Sequence, residues 1–431
     1  MRFRASEAGG ELIGPDVEFE GAAVDSRRLA PGQLFVPIVA ERDGHDFIDA
    51  AVAAGAVAYL TSEKRPRAGA GATAIAVPDT AAALADLGRA ARDRLPARVV
   101  GVTGSAGKTS TKDLLGAALR ALGPSAVTEK SFNNELGLPL SLVNAPAAAH
   151  AAVLEMGARG PGHIRWLCAI ARPTVGVVTN VSVSHTEFLG SIEGVVDAKA
   201  ELVEALPAGG TAVLNADDPR VAAMTSRTVA ATLTFGVAGG DVRAEGVRVD
   251  GELRPTFTLR TPWGDADVTL ESARGAHQAA NAAAAAALVL GVPLDELVAA
   301  LATAPMSPLR MEALRSRNGV TVLNDAYNAN PASTAAALHA LAATPAPGRR
   351  IAILGPMLEL REESNAEHRR IADLARQLGI EVVGVKTAAY AVDVLAEGEE
   401  CPPVEPGDAV LVKGSRAAGL ERLAETLVEK W

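Results

Sequence analysis

The residues with the clearest chemical meaning lie in the run Val99-Val100-Gly101-Val102-Thr103-Gly104-Ser105-Ala106-Gly107-Lys108-Thr109. Its β-branched residues predict a strand that feeds a Gly-rich turn, with a helix opening at Lys108-Thr109. Glycines let backbone N–H groups converge on phosphate oxygens, and the positive end of the helix dipole adds to them. Lys108 is placed to reach the β- and γ-phosphates, and the Thr109 hydroxyl to ligate Mg²⁺. A triphosphate site formed by Gly104, Ser105, Ala106, Gly107, Lys108, Thr109 and Ser110 is the expectation. The run departs from G-x-x-x-x-G-K-[ST], because position 102 is Val and Gly101 lies one residue early. An ordinary strand–helix turn with a surface lysine is the plainer reading, and the strand and helix falling where the motif demands weigh against it.

Three further groups stand near expected strand ends. Glu155 follows Ala152-Val153-Leu154 and precedes Met156-Gly157, so its carboxylate would sit at the C-terminal edge of a sheet, where open α/β sheets bind ligands. His185 follows the strand-ending Asn180, and Lys199 lies on an amphipathic helix in Asp197-Ala198-Lys199-Ala200-Glu201. Taken singly, a strand-ending glutamate, a lone histidine and a helix lysine are more often structural or solvated.

Positioning these groups requires a mostly parallel sheet. Val99–Val102, Ala151–Leu154, Thr174–Thr179 and Ala212–Leu214 read as strands, with helices over Lys108–Leu122 and Ile192–Leu206 between them. From Val229 to Leu270 the texture changes to short alternating strands, an antiparallel side sheet, before the helix His277–Leu290. Ala304-Pro305-Met306-Ser307-Pro308 is the best linker candidate, and beyond it strands at Val320–Leu323, Ile351–Leu354, Val382–Val385 and Val410–Val412 alternate with helices. The expectation is an α/β protein of three domains: a small N-terminal unit over 1–90, a central phosphate-loop domain over 91–305 with its side sheet, and a Rossmann-like doubly wound domain over 306–431.

Composition bounds the alternatives. Hydrophobic residues make up 48% and charged residues 21% of the 431, a globular balance, and with aromatics at 3% the cores must be built from Ala, Val, Leu and Ile. Lys+Arg 41 against Asp+Glu 51 gives a net charge of −10, which argues against a nucleic-acid partner. The two cysteines, Cys168 in an apolar stretch and Cys401 in a Pro-rich loop, suggest no disulfide framework and fit a reducing cytoplasm. Neither an apolar leader region nor a membrane-spanning run is evident, so a soluble, unexported protein, with monomer as the default state, is expected.

Order and spacing tie the separate signals together. The phosphate loop is followed by Asn133-Asn134-Glu135-Leu136-Gly137-x-Pro139, Glu155-Met156-Gly157, Thr179-Asn180, His185 and Ala198-Lys199-x-Glu201. Later come Asn215-Ala216-Asp217-Asp218-Pro219, Gly275-Ala276-His277-x-x-x-Asn281, Arg310, Asn324-Asp325-Ala326-Tyr327-Asn328-Ala329-Asn330-Pro331, Met357-Leu358-Glu359-Leu360 and Lys413-Gly414-Ser415-Arg416. The set closely resembles the Mur ligase family, the ATP-dependent amide-forming enzymes of peptidoglycan precursor synthesis, over nearly the whole chain. The Asp-x-Tyr-Asn-Ala-Asn-Pro stretch and the N-terminal Asp25-Ser26-Arg27, Pro31-Gly32-x-Leu34-Phe35-Val36 and Asp43-Gly44-His45-Asp46-Phe47 resemble the branch that adds D-alanyl-D-alanine to UDP-N-acetylmuramoyl-tripeptide.

The resemblance implies a role for each matching residue. Lys108 and Thr109 would hold ATP and Mg²⁺, Glu155 would ligate magnesium with His185 helping at a second ion, and Lys199 would be carbamylated. Asn281 would contact the adenine, Arg310 the phosphates and Asp325 the ribose. Asp25, Ser26 and Arg27 would hold the UDP-sugar end, and Asn328 and Asn330 the amino substrate. A protonated lysine would be repelled by Mg²⁺, whereas its carbamate offers an anionic oxygen to a hard cation. Gln278, Pro356, Arg361 and Ser110 depart from the common pattern without removing a phosphate or magnesium ligand. A sister ligase adding a single amino acid, a phosphate-loop ATPase switch and a dinucleotide-binding dehydrogenase are the rivals; the last is the weakest, since Lys-Thr after the final glycine marks a triphosphate site.

Overall fold

The structure, a computed structural model, describes residues 1–431 apart from 63–70, 97, 130–131, 184–185, 276, 396–401 and 431, and leaves the side chains of 277–279 undescribed. His185 and Cys401 therefore lie outside the described residues. The strands form three large sheets and a small hairpin-like pair, Arg2–Arg4 with Glu18–Glu20.

The N-terminal sheet has five short strands in the order Glu11–Ile13, Thr73–Ala76, Ala58–Thr61, Leu34–Phe35 and Ala22–Ala23; the first pair is antiparallel and the rest are parallel. The helix Thr80–Asp93 follows it, started by the Asp79 carboxylate, which accepts from the N–H groups of Ala81 and Ala82 at 2.8 and 3.0 Å. This helix runs through position 90, and its buried Leu84 and Leu87 share one core with Leu138, Leu142 and Ile170 of the segment beyond. Arg92 joins the same two regions, donating to the carbonyls of Leu95 and Ala171 at 3.1 and 2.6 Å.

The central sheet has nine strands in the order Gly264–Thr269, Pro255–Thr261, Val242–Val249, Ala231–Gly236, Thr211–Asn215, Val175–Val178, Val99–Thr103, Ala151–Glu155 and Ser125–Val127. All pairs from Val242–Val249 to Ser125–Val127 are parallel, and the first three strands are antiparallel to one another. The expected antiparallel strands are present, joined edge-on to the parallel ones through Ala231–Gly236, which itself runs parallel to Thr211–Asn215. Val99–Thr103 is buried along its whole length between Val175–Val178 and Ala151–Glu155. A run rich in β-branched residues without polar alternation is what burial on both faces requires. Because these strands are parallel neighbours, the residues that leave their C-terminal ends emerge side by side: Gly104, Glu155 and Thr179-Asn180.

The C-terminal sheet runs in the order Glu312–Arg315, Thr321–Asp325, Ala409–Lys413, Arg350–Leu354 and Glu381–Gly384, antiparallel only at its first pair. Its helices include Pro331–Ala343 and Ser364–Gln377. One residue of the central part is built into this layer's core. Leu253, in the turn after Val242–Val249, adopts φ +62° and packs at 2% exposure with Leu323, Leu338 and Leu341. The Asp250 carboxylate organises that turn, accepting from the N–H groups of Glu252 and Arg254 at 2.9 Å each. Burying one leucine is worth roughly 1.5–3 kcal/mol, enough to offset the left-handed backbone. Among the described residues no helix is long and apolar enough to cross a membrane. Cys168 is buried, and burial pushes its thiol up to about 12, which suits an inert core group.

Candidate active site

The phosphate loop owes its shape to two glycines. Gly104 has φ +148°, and a Cβ placed there would lie 1.8 Å from the Thr179 hydroxyl oxygen. Gly107, at φ +81°, starts the helix Lys108–Ala118. The loop is pinned from the neighbouring strand end. Asn180 accepts the N–H of Ser105 on its carbonyl and that of Ala106 on its side chain, both at 2.9 Å, and Thr179 Oγ1 donates to the Ala106 carbonyl at 2.6 Å. The amides of Ser105 and Ala106 are thus committed inside the loop, and the first N–H groups of the helix, which by geometry lack intrahelical partners, face the anion site. Lys108 Nζ folds back to the Gly104 carbonyl at 2.6 Å. Burial is the largest influence on this amine and lowers its pKa, with Glu155 opposing and Arg310 adding to the effect.

Glu155 is held as a magnesium ligand would be. It is 2% exposed, one carboxylate oxygen accepts from Thr109 Oγ1 and the other from Asn133 Nδ2, each at 2.8 Å, and its backbone N–H donates to Thr128 Oγ1 at 3.1 Å. A hydroxyl and a carboxylate oxygen meeting at the phosphate loop are hard donors, and Mg²⁺ takes few protein oxygens beside phosphates and water, so the residues present fit that ion. Lys199 is 1% exposed; burial first, and the nearby Lys108 second, bring its amine down to about 7. His185 falls outside the described residues, between Ser182, whose N–H donates to Ser105 Oγ at 3.0 Å, and Thr186, whose hydroxyl donates to the Glu359 carbonyl at 3.4 Å.

The C-terminal layer supplies the facing wall. Arg310 lies over the Tyr327 ring, 4.2 Å from its centroid. Asp325 accepts from the Met311 N–H at 3.2 Å and pairs with Lys413, which also donates to the Asn328 carbonyl at 2.9 Å. The Asn330 side chain has two structural partners: it caps the helix Pro331–Ala343 through the Ser333 N–H at 2.9 Å and donates to the Ser105 carbonyl at 3.0 Å, bridging the two layers at the loop itself. Asn328 Oδ1 accepts from the N–H of Ala329 at 2.9 Å.

A cavity of about 1280 Å³ takes in Ser105–Ser110, Glu155, Arg310, Asp325, Asn328 and Asn330 together. Several expected contributors, Lys199 among them, do not line it. Asn281 is completely buried against the central sheet, its amide donating to the Gly236 carbonyl at 2.6 Å, and it does not line the cavity. Asp25 and Arg27 also stand apart from it, gripping each other at 2.8 Å, and the guanidinium holds the Asp25 carboxyl down at about 2. With Ser26 they form a short 3-10 turn on the N-terminal sheet. Another depression, about 750 Å³, opens beside Thr174 and Pro207, at the opposite ends of the strands. Its Arg165 and Arg172 are paired with Glu204 and Asp93, so it lacks comparable chemistry. Asn133, Asn180 and Lys413 also line the cavity, at positions that motif spelling contained without revealing their partners. Of the departures, Ser110 lines the cavity, the Pro356 carbonyl accepts from the Ser415 N–H at 3.1 Å, and Arg361 carries φ +45° where glycine would be unstrained.

Comparison with known proteins agrees with this geometry. Residues 18–92 match the catalytic domain of the Mur ligase family, 102–289 the Mur ligase middle domain, and 309–416 the Mur ligase glutamate ligase domain. A Mycobacterium tuberculosis protein named UDP-N-acetylmuramoyl-tripeptide–D-alanyl-D-alanine ligase is 40% identical over 94% of this chain and 91% of its own length. The Escherichia coli protein of that name is 36% identical over 97% and 96%. Among solved structures, MurF from Acinetobacter baumannii superposes with a TM-score of 0.86 at 29% identity, covering 99% of both chains. MurF ligase from Thermotoga maritima in complex with ADP gives 0.81 at 30% identity, over 94% of this chain and 96% of that one.

Proposed function

The chain belongs to the Mur ligase family, and from that premise we propose that it joins D-alanyl-D-alanine to UDP-N-acetylmuramoyl-tripeptide, consuming ATP and releasing ADP and phosphate. The observation that carries this reading is the single cavity in which the phosphate loop, the Glu155–Thr109 pair and the Arg310–Asp325 wall meet, in a chain whose relatives of that name align over nearly its full length. Residues 1–90 would hold the UDP-sugar end through Asp25, Ser26 and Arg27, 91–305 the triphosphate, and 306–431 the acceptor and the closing wall. Both nucleotide substrates are cytoplasmic metabolites, which assigns the reaction to the cytoplasm.

A carboxylate does not condense directly with an amine, because oxide is a hopeless leaving group. The tripeptide's terminal carboxylate oxygen instead attacks the γ-phosphorus of ATP and ADP departs. The acceptor amine then attacks the acyl carbon of the acyl phosphate, inorganic phosphate leaves, and the amine's proton is lost. Lys108, the N–H groups of the helix start and Arg310 neutralise and orient the phosphates. Tyr327 keeps the guanidinium flat while it does so. Asp325, locked by Lys413 and the Met311 N–H, presents an oxygen suited to a ribose hydroxyl. Acyl phosphates hydrolyse, so water must be excluded; the bridges from Asn330 to Ser105 and from Glu359 to Thr186 draw the C-terminal wall over the loop.

Thr109 and Glu155, together with His185 and a carbamylated Lys199, would hold Mg²⁺, which when bound offsets phosphate charge. Carbamylation consumes one CO₂ and one unprotonated amine and releases one proton. An amine held near 7 is available for it at neutral pH where an ordinary lysine is not. Carbon-13-labelled bicarbonate should give a carbamate NMR signal that Lys199→Ala lacks; a spectrum of the active enzyme without it would reject the modification.

A coupled assay of ADP release tests the reaction. Turnover should require both UDP-N-acetylmuramoyl-tripeptide and D-Ala-D-Ala, and Lys108→Ala should abolish it. ADP release without any amine would instead mark a switch ATPase, and turnover with single amino acids on the dipeptide precursor would mark a sister ligase.

A further inference from the structure

Two motifs, Met357-Leu358-Glu359-Leu360 and Lys413-Gly414-Ser415-Arg416, both reach the reaction cavity, and their Leu358 and Arg416 have no task in the phosphate chemistry above. They are fastened into one rigid corner. The Ser415 N–H donates to the Pro356 carbonyl, and Ser415 Oγ accepts from the Leu358 N–H, each at 3.1 Å. Behind them the His368 Nε2 accepts from the Met357 N–H at 3.0 Å, and the Tyr390 hydroxyl donates to the Gly355 carbonyl at 2.9 Å.

Three cations of the C-terminal layer line the cavity: Arg310, Lys413 and Arg416. Arg310 is stacked on Tyr327 and faces Lys108, on the phosphate side. Lys413 is 2% exposed and already engaged by Asp325 and the Asn328 carbonyl. Arg416 differs. Its side chain is 56% exposed and is steered by Glu421 through one nitrogen at 3.2 Å. Beside it in the corner stand the Leu358 side chain, exposed although apolar, and Glu359. A guanidinium, an aliphatic surface and a carboxylate on one rigid corner complement a small zwitterion carrying methyl groups. The side-chain oxygens of Asn328 and Asn330, by contrast, are taken up by the chain's own N–H groups.

Resting on the ligase reading above, we infer that Arg416 anchors the free carboxylate of the acceptor dipeptide, with Leu358 against its methyl groups, and so selects acceptors that end in a carboxylate. The amine at the other end of the dipeptide is thereby left to reach the acyl carbon.

Acceptor kinetics with D-Ala-D-Ala and its C-terminal amide test this in wild type, Arg416→Ala and Arg416→Lys. A charge-assisted hydrogen bond contributes about 1.5–3 kcal/mol, so Arg416→Ala should raise the KM for D-Ala-D-Ala about 10- to 100-fold, with the KM for ATP and for the tripeptide changing less than about twofold. Wild type should prefer the acid over the amide by a similar factor, and Arg416→Ala should lose that preference. Arg416→Lys should fall between them, since it keeps the charge and loses the planar fork. An Arg416→Ala enzyme that still discriminates acid from amide as wild type does, or that keeps its acceptor KM unchanged, would overturn the assignment. A wild-type enzyme that ignores D-Ala-D-Ala altogether would sink the ligase reading itself, which is a separate result.

Discussion

Gly104→Ala puts the design of the phosphate loop to a quantitative test. The new methyl group would lie 1.8 Å from Thr179 Oγ1 on a backbone at φ +148°. Holding a non-glycine residue in so sparsely populated a conformation costs about 1–3 kcal/mol. The clash also drives Thr179 from the hydrogen bond that its single hydroxyl proton makes to the Ala106 carbonyl at 2.6 Å, worth about 1 kcal/mol. The expected total is about 2–4 kcal/mol. If the loop yields locally, that appears as a loss of ATP affinity of about 30- to 1,000-fold; if the sheet bears it, as a lowered unfolding midpoint. Calorimetric titration with a non-hydrolysable ATP analogue and urea unfolding together capture both routes. Thr179→Ala alone removes the same bond and should cost about 1 kcal/mol. The double variant should therefore be no worse than Gly104→Ala by itself. Strictly additive losses, or a Gly104→Ala enzyme that binds nucleotide and unfolds like wild type, would refute the account.

Asn133→Ala removes one of the two groups holding the Glu155 carboxylate, and groups that orient a metal ligand typically contribute 10- to 100-fold in metal affinity. The Mg²⁺ midpoint for ADP release should rise by about that factor, with kcat recovering at saturating Mg²⁺; an unchanged midpoint would remove Asn133 from the site. Lys199 carries a signed pH dependence in CO₂-free buffer. Its folded pKa of about 7 lies below the ordinary lysine value of about 10.5, so between those limits the unfolded chain binds the extra proton and stability rises with pH. Lys199→Met should consequently be more stable than wild type at pH 7, by on the order of a few kcal/mol, with the advantage shrinking toward pH 10. Parallel stability–pH curves for the two proteins would show that the amine is not desolvated.

The parts of the site that sequence revealed are those whose geometry is local. The strand Val99–Thr103, the turn and the helix Lys108–Ala118 form one continuous stretch, and the glycines, lysine and threonine in it describe their own chemistry. Glu155 could be placed at a sheet edge because a buried apolar run ends there. Asn281 shows where this kind of reading stops. The motif places it on the helix His277–Val289, but a run of alanines gives that helix no polar side, and the packing of the sheet turns Asn281 toward Gly236. Asp25 and Arg27 were legible as a pair, while their distance from the nucleotide cavity depends on how the N-terminal layer is docked.

Long-range partners account for the remainder, and they explain why each motif letter is the residue it is. Gly104 must be glycine because Thr179, from the neighbouring strand's end, occupies the space a side chain would need. Asn330 is read locally as a helix cap, yet the same side chain reaches the Ser105 carbonyl and ties the C-terminal layer to the loop. Leu253 accepts a left-handed backbone in the central part of the chain because its side chain completes the core of the next layer. A single-residue motif can therefore report two constraints, one in its own turn and one in a different sheet. Only the first is periodic or positional in sequence; the second is set by which strands become neighbours, which is why the chemistry of this site was readable before its closure was.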